Sequence, residues 1–223
     1  MYRTRVKICG ITRVEDALLA CELGADAIGL VMTPTSPRCV SIERARAIRD
    51  ALPAFVDAVV VLVDAEAREV ERVVSVVHPD ALQFHGHETP ACCIRAGLPY
   101  IKAFSMNEPV AGPLEDEVER YATACAILLD GRRTASPGGE GMFDWQAIPR
   151  SLPRPLILAG GIDETNVAAA IEQVAPYAVD ISSGVESSPG IKDAGKLRAF
   201  FDSVASAQEN VATEKQPSAN ERQ

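Results

Sequence analysis

No run of eighteen apolar residues occurs in the 223-residue chain, so no helix is expected to cross a membrane. No Cys-x-x-Cys pair occurs either, and only three histidines are present: His78, His85 and His87. His85 and His87 form a bare His-x-His with no third ligand at a convincing spacing, so no metal is expected. Positive charge is in deficit, with 22 Lys and Arg against 31 Asp and Glu, a formal net charge of -9. A negative field of that size argues against nucleic acid and anionic membrane as partners. It also opposes a phosphorylated small molecule, which would need local help from an arginine, a helix N-terminus or a ring of backbone amides. The opening residues Met1-Tyr2-Arg3-Thr4-Arg5 lead into a strand-like run without the apolar core of a secretory signal. The six cysteines are therefore expected to be thiols in a reducing cytoplasm.

What the chain does have is enough material for one sizeable core, 47% apolar and 24% charged, in the proportions of a globular protein. Short apolar runs at 5–9, 27–32, 57–63, 81–85, 100–104, 126–130, 155–159 and 178–182 read as strands. They are nearly continuous rather than alternating, as expected for a parallel sheet covered on both faces. Helical patterns fall between and after them, at 14–23, 42–52, 66–77, 89–96, 114–123, 144–148, 164–174 and 194–205. Ser41 suits an N-cap, and Val70, Val73, Val74 and Val77 line one helix face. Eight β-then-α units allow either an open doubly wound sheet or a closed barrel. The count of eight and the tight repeat favour the α/β class with a single (β/α)₈ TIM barrel over residues 1–207. Residues 208–223 are polar without apolar periodicity and read as a disordered C-terminal tail.

A closed barrel builds its active site at the C-terminal ends of its strands. Cys9 ends the first strand and Asp130 the sixth, a thiol and a carboxyl able to act as general base and general acid. Lys7, on the same strand face as Cys9, is a candidate for lowering the thiol's pKa. Taken alone, Cys9 reads more readily as a small buried core residue, and Asp130 reads equally well as a helix cap. Gly160 and Gly161 after strand seven, with Ser183 and Gly184 after strand eight, occupy the usual phosphate position of such barrels. Arg38 sits in a proline-braced loop, between Pro37 and Cys39, where its fork could meet a carboxylate or simply face water. His85 ends strand four, and the glycine-rich stretch 136–145 after strand six is longer than a plain connection needs.

Taken in order, Lys7-Ile8-Cys9-Gly10-Ile11-Thr12, Ser36-Pro37-Arg38, Gln83-Phe84-His85-Gly86, Phe143-Asp144-Trp145, Asp180-Ile181-Ser182-Ser183-Gly184-Val185-Glu186 and Pro189-Gly190-Ile191-Lys192-Asp193 resemble the phosphoribosylanthranilate isomerase family, from about residue 5 to 201. The resemblance implies an aldose–ketose isomerase of tryptophan biosynthesis that performs an Amadori rearrangement by acid–base catalysis. It assigns Cys9 as general base, Asp130 as general acid and Arg38 to the substrate carboxylate. Gly160, Gly161, Ser183 and Gly184 are assigned to the phosphate, with Lys7 and His85 elsewhere in the pocket. No cofactor is implied, because only protons move. The expected partner is a phosphorylated small molecule, and the expected assembly is a monomer or weak homodimer. Two features depart from the family pattern: Glu140 stands where a hydroxyl residue is usual, and Met142 alone separates Gly141 from Phe143. Two other readings remain open here, a histidine-pathway aminoaldose isomerase and a barrel that only binds a phosphosugar. The first is disfavoured by Cys9, since those relatives carry aspartate there.

Overall fold

The computed structural model describes residues 3–106, 113–131, 145–149 and 151–214. Eight short parallel strands close on one another: β1 (Arg5–Ile8), β2 (Ala27–Val31), β3 (Asp57–Leu62), β4 (Ala81–Phe84), β5 (Tyr100–Ser105), β6 (Ala126–Asp130), β7 (Leu156–Ala159) and β8 (Ala178–Ile181). Closure is made by β1 against β8, with Lys7 beside Asp180 and Ile8 beside Ile181. Around the barrel lie α1 (Val14–Leu23), α2 (Ile42–Ala51), α3 (Ala67–Val77), α4 (Pro90–Arg95), α5 (Leu114–Glu119), α6 (Val167–Val174) and α7 (Ala194–Glu214). Two starts follow local chemistry. The Ser41 hydroxyl accepts from the Arg44 amide at α2, and Thr89 caps α4 with Pro90 in its first turn.

Because each strand's side chains alternate, the core has two layers. Val59, Ile101, Leu128 and Ile157, with Ala103, Ala126, Ala159 and Ala178, pack together as an inner cluster that fills the barrel. The intervening residues, among them Ile8, Ile28, Leu30, Leu62, Leu82 and Ile127, belong to the larger cluster shared with the helices. That second layer is why the strands look apolar throughout.

Three expectations change. Residues 145–147 form a 3₁₀ turn (Trp145–Ala147) rather than an α-helix over 144–148. β8 is followed by a 3₁₀ turn (Ser183–Val185) and a hairpin of β9 (Glu186–Ser188) and β10 (Ile191–Lys192) before α7 begins. And α7 runs through Glu214, seven residues into the expected tail. Ala207 is fully buried, and the Gln208 side-chain amide donates to the Thr4 carbonyl at 2.9 Å, so the barrel's first segment holds the helix past the predicted boundary. Residues 215–223 of that tail, and the stretch 136–144 with Glu140, Met142 and Phe143, lie outside the described residues.

Leu128 is fully buried in the inner cluster, where neighbours on a closed sheet have little freedom to collapse. Leu128→Ala is expected to cost about 2–5 kcal/mol in denaturant unfolding. A loss below about 1 kcal/mol would mean that the barrel interior is not close-packed.

Candidate active site

The alternation that fills the barrel also decides what reaches its mouth. The inward face of β6 runs Ala126, Leu128, Asp130; that of β4 runs Ala81, Gln83 and continues to His85; that of β1 carries Lys7 and continues to Cys9. These ends open into one cavity of about 770 Å³, a volume suited to a small ligand. Cys9, Asp130, His85 and Arg38 are in its wall, with Gly160, Gly161 and Ser183 on the side of β7 and β8. Two expected members are not in that wall. Lys7 is buried below it, and Gly184 is packed so closely on the Ile162 carbonyl that a Cβ would collide.

Cys9 keeps its place because β2 supplies no side chain opposite it. A Cβ on Gly29 would lie 2.7 Å from the Cys9 sulfur, inside any real contact distance. Gly160 answers a different need. Its φ is +85°, and its Cα lies so close to the Gly131 backbone that a side chain would overlap it. The chain after β7 is thereby pressed to the end of β6 beside Asp130.

A chain of buried charges underlies the mouth. The Lys7 ammonium donates to Asp180 at 2.9 Å, both almost fully buried. Behind them Lys192 donates to the Cys9 carbonyl at 2.7 Å, the Ser182 carbonyl at 3.0 Å and Glu186 at 3.0 Å. Glu186 in turn grips the Arg38 fork, accepting from Nε at 2.8 Å and from one terminal nitrogen at 2.6 Å. The network ties the loop after β2 and the hairpin after β8 to the residue that carries the thiol.

These contacts set the protonation tendencies. Burial pushes the Cys9 thiol up; the Lys7 charge works against this, Asp180 adds to the rise, and Lys192 opposes it. The result is a thiol above the ordinary range, not the lowered one expected from Lys7 alone. For Lys7 itself burial pulls downward, yet Asp180 and Cys9 outweigh it and hold the ammonium above its usual value. Burial would raise Glu186, but Arg38 and Lys192 keep it below the ordinary carboxylate range. Lys192 is pulled down by its burial, against the attraction of Glu186.

Across the cavity, His85 Nε2 lies 3.2 Å from Asp130 Oδ2, and the Gln83 side-chain nitrogen lies 3.0 Å from His85 Nδ1. The other end of that amide, Gln83 Oε1, is buried and without a partner among the described residues, as is Thr33 Oγ1 in the same wall. A second buried pair, Lys102 with Glu88 at 2.9 Å, anchors the loop after β4: Lys102 also donates to the Gly86 carbonyl, and Glu88 accepts the amides of Asp64 and Gly86. Glu186, Lys192, Glu88 and Gln83 had no role from sequence. Their only signal there is polarity, because their partners come from distant segments.

The fold and this wall define a (β/α)₈ barrel whose strand ends bring a thiol, a carboxyl, an imidazole and a guanidinium around one small-molecule cavity. The family model described as N-(5'phosphoribosyl)anthranilate (PRA) isomerase matches residues 6–203. The chain is similar to the N-(5'-phosphoribosyl)anthranilate isomerase of Azotobacter vinelandii, 52% identical over 211 residues that cover 93% of this chain and 100% of that one. Among solved structures it resembles one described as mutually generated monomers of dimeric phosphoribosylanthranilate isomerase from Thermotoga maritima, at 39% identity and TM-score 0.76, covering 91% of this chain and 99% of that one. It also resembles a phosphoribosyl anthranilate isomerase solved with reduced 1-(o-carboxyphenylamino)-1-deoxyribulose 5-phosphate, at 38% identity and TM-score 0.73 over the same shares. The chain belongs to the phosphoribosylanthranilate isomerase family.

Since Lys7 opposes the rise of the Cys9 pKa, removing its charge must raise that pKa further. In Lys7→Met, peptide-resolved alkylation of Cys9 is expected to reach its half-maximal rate at a higher pH than in the wild type. An unchanged or lower midpoint would show that Lys7 does not act on the thiol.

Proposed function

We propose that this chain converts N-(5-phosphoribosyl)anthranilate to 1-(2-carboxyphenylamino)-1-deoxyribulose 5-phosphate in tryptophan biosynthesis, with Cys9 as general base and Asp130 as general acid. The observation that carries the reading is that these two residues, from β1 and β6, open into one cavity with a glycine-rich side and an arginine. The relative solved with a reduced deoxyribulose phosphate compound supports a ligand of that kind.

Asp130 gives a proton to the furanose ring oxygen, the ring opens, and the anthranilate nitrogen stabilises the resulting iminium. The Cys9 thiolate then takes the C2′ proton to give an enolamine. At that point the acid is one proton short and the thiol one proton richer. Tautomerisation to the ketone, with one proton to C1′ and one from the C2′ hydroxyl, restores both. No electrons leave the substrate, so the reaction needs no cofactor. The raised pKa of Cys9 makes the thiolate scarce near neutrality but a stronger base once formed, and Lys7 and Lys192 beneath it limit that scarcity.

Arg38 holds the anthranilate carboxylate. Glu186 occupies its Nε side, which leaves the end-on edge of the fork for a second carboxylate. The phosphate binds the amides around Gly160, Gly161 and Ser183, where glycine lets the oxygens approach the backbone, while Gly184 lets the turn after β8 pack against Ile162. Lys7 and His85 act from behind Cys9 and Asp130. We read the assembly as a monomer or weak homodimer, in keeping with a relative described as monomers of a dimeric enzyme. The cytoplasm fits a chain whose six cysteines are all free thiols.

Cys9→Ala and Asp130→Ala are each expected to lower kcat by about 10² to 10⁴ with unchanged circular dichroism. Neither should restore growth without tryptophan to a strain lacking this isomerase, whereas the wild-type chain should. Wild-type turnover in either variant would remove that residue from the mechanism.

A further inference from the structure

The acid assigned above gives a proton to the substrate and takes one back in each cycle, so the groups that touch it decide how that proton is held. Asp130 has an imidazole against it, His85 Nε2 at 3.2 Å, and that imidazole has an amide against its other nitrogen.

The geometry restricts how many protons the trio can hold. Gln83 presents its nitrogen to His85 Nδ1, so it donates and Nδ1 must be a lone pair. The single ring proton then sits on Nε2 and points at Asp130, which must accept it as a carboxylate. In that arrangement the trio has no acidic proton to give. Add one proton, and it resides either on Asp130, donated to Nε2, or on the ring as imidazolium. In both cases Nδ1 becomes an N–H donor and can no longer face the Gln83 amino group. A half-turn of the amide replaces nitrogen with oxygen in nearly the same volume and restores the hydrogen bond. Nothing pins the amide's far end: Gln83 Oε1 is buried and without a partner among the described residues. The turn therefore breaks one hydrogen bond and makes one.

We propose that Gln83 and His85 are positioning residues that load the general acid: with Gln83 Oε1 turned to His85 Nδ1–H, one proton is shared between His85 Nε2 and Asp130 Oδ2, and with the amide reversed the pair is spent. The proposal rests on the isomerase reading for the use of that proton, but not for its location. The proton leaves from Asp130 to the ring oxygen, and the C2′ hydroxyl returns one during tautomerisation, so the amide turns twice per cycle. Among the described residues, the other titratable or charged groups of the cavity wall are Cys9 after β1, Arg38 from the loop after β2 and Asp180 from β8, and the last two are already paired with Glu186 and Lys7. Among the described residues, β3 and β7 with the residues that follow them bring Val61, Val63, Ala159, Gly160, Gly161 and Ile162, none of them titratable. Lys102 on β5 is bound to Glu88, in the loop after β4, and to the Gly86 carbonyl.

With only three histidines in the chain, ¹⁵N-histidine labelling and long-range ¹H–¹⁵N spectra read the His85 ring directly, His85→Asn identifying its signals. Across the titration, without substrate, wild-type His85 is expected to pass from a form protonated on Nε2 alone to one that carries a proton on Nδ1. Gln83→Glu, a permanent acceptor there, should move the His85 titration midpoint up by about one pH unit, and Gln83→Met should move it down. One limb of the kcat/KM pH profile should move with it, in the same direction and by a similar amount. If His85 Nδ1 stays unprotonated across the titration, or its midpoint is the same in wild type and Gln83→Glu, the proposal is wrong even if turnover is normal. Loss of turnover with the expected His85 behaviour would instead count against the isomerase reading alone. Gln83→Glu decides the matter if Gln83→Met does not fold.

Discussion

Everything at the mouth depends on the pleat of a closed parallel barrel. Side chains two residues apart must share a face, so a strand that buries Leu128 in the interior delivers Asp130 to the rim above it. A slip of one residue would send the whole set to the helices. Function and stability therefore use the same alternation. The inner apolar cluster fixes the register, and the register places a thiol on β1, an imidazole after β4 and a carboxyl on β6 around one space.

The second constraint is electrostatic. A chain with a net charge of -9 has to receive an anionic ligand, and it does so by sorting charges beneath the mouth. Three cations, Lys7, Lys192 and Arg38, are bound to two carboxylates, Asp180 and Glu186, so the network carries an excess of positive charge. Buried ion pairs of this kind contribute little net stability, because desolvation offsets their attraction. Their value here is placement. Lys192 holds the Cys9 carbonyl, Glu186 fixes the Arg38 fork, and Lys7 limits how far burial raises the thiol.

How much of this was legible in the sequence depended on the range of the interaction. The strands and most helices follow from local apolar runs, and Cys9, Asp130, His85 and Gly160 follow from being at strand ends. The roles of Glu186, Lys192 and Gln83 do not, because closure of β1 on β8 and the approach of β4 to β6 create their partners. Gly29 looks like any strand glycine until the thiol it makes room for is seen beside it. The effect of Lys7 on Cys9 was correct in direction but not in outcome, since burial outweighs one ammonium. The end of α7 was missed for a similar reason: one side-chain bond from Gln208 to Thr4 leaves no periodic pattern to read.

The central claim is geometric: acid and base address different atoms of one bound sugar phosphate. A crystal structure with the reduced deoxyribulose phosphate compound would measure it. The account predicts the Cys9 sulfur about 3.5 Å from C2′ and the Asp130 carboxyl about 2.6–3.2 Å from the C4′ oxygen, with the anthranilate carboxylate on Arg38. A ligand lying in this cavity with C2′ turned away from Cys9, or with Asp130 out of reach of the C4′ oxygen, would contradict it.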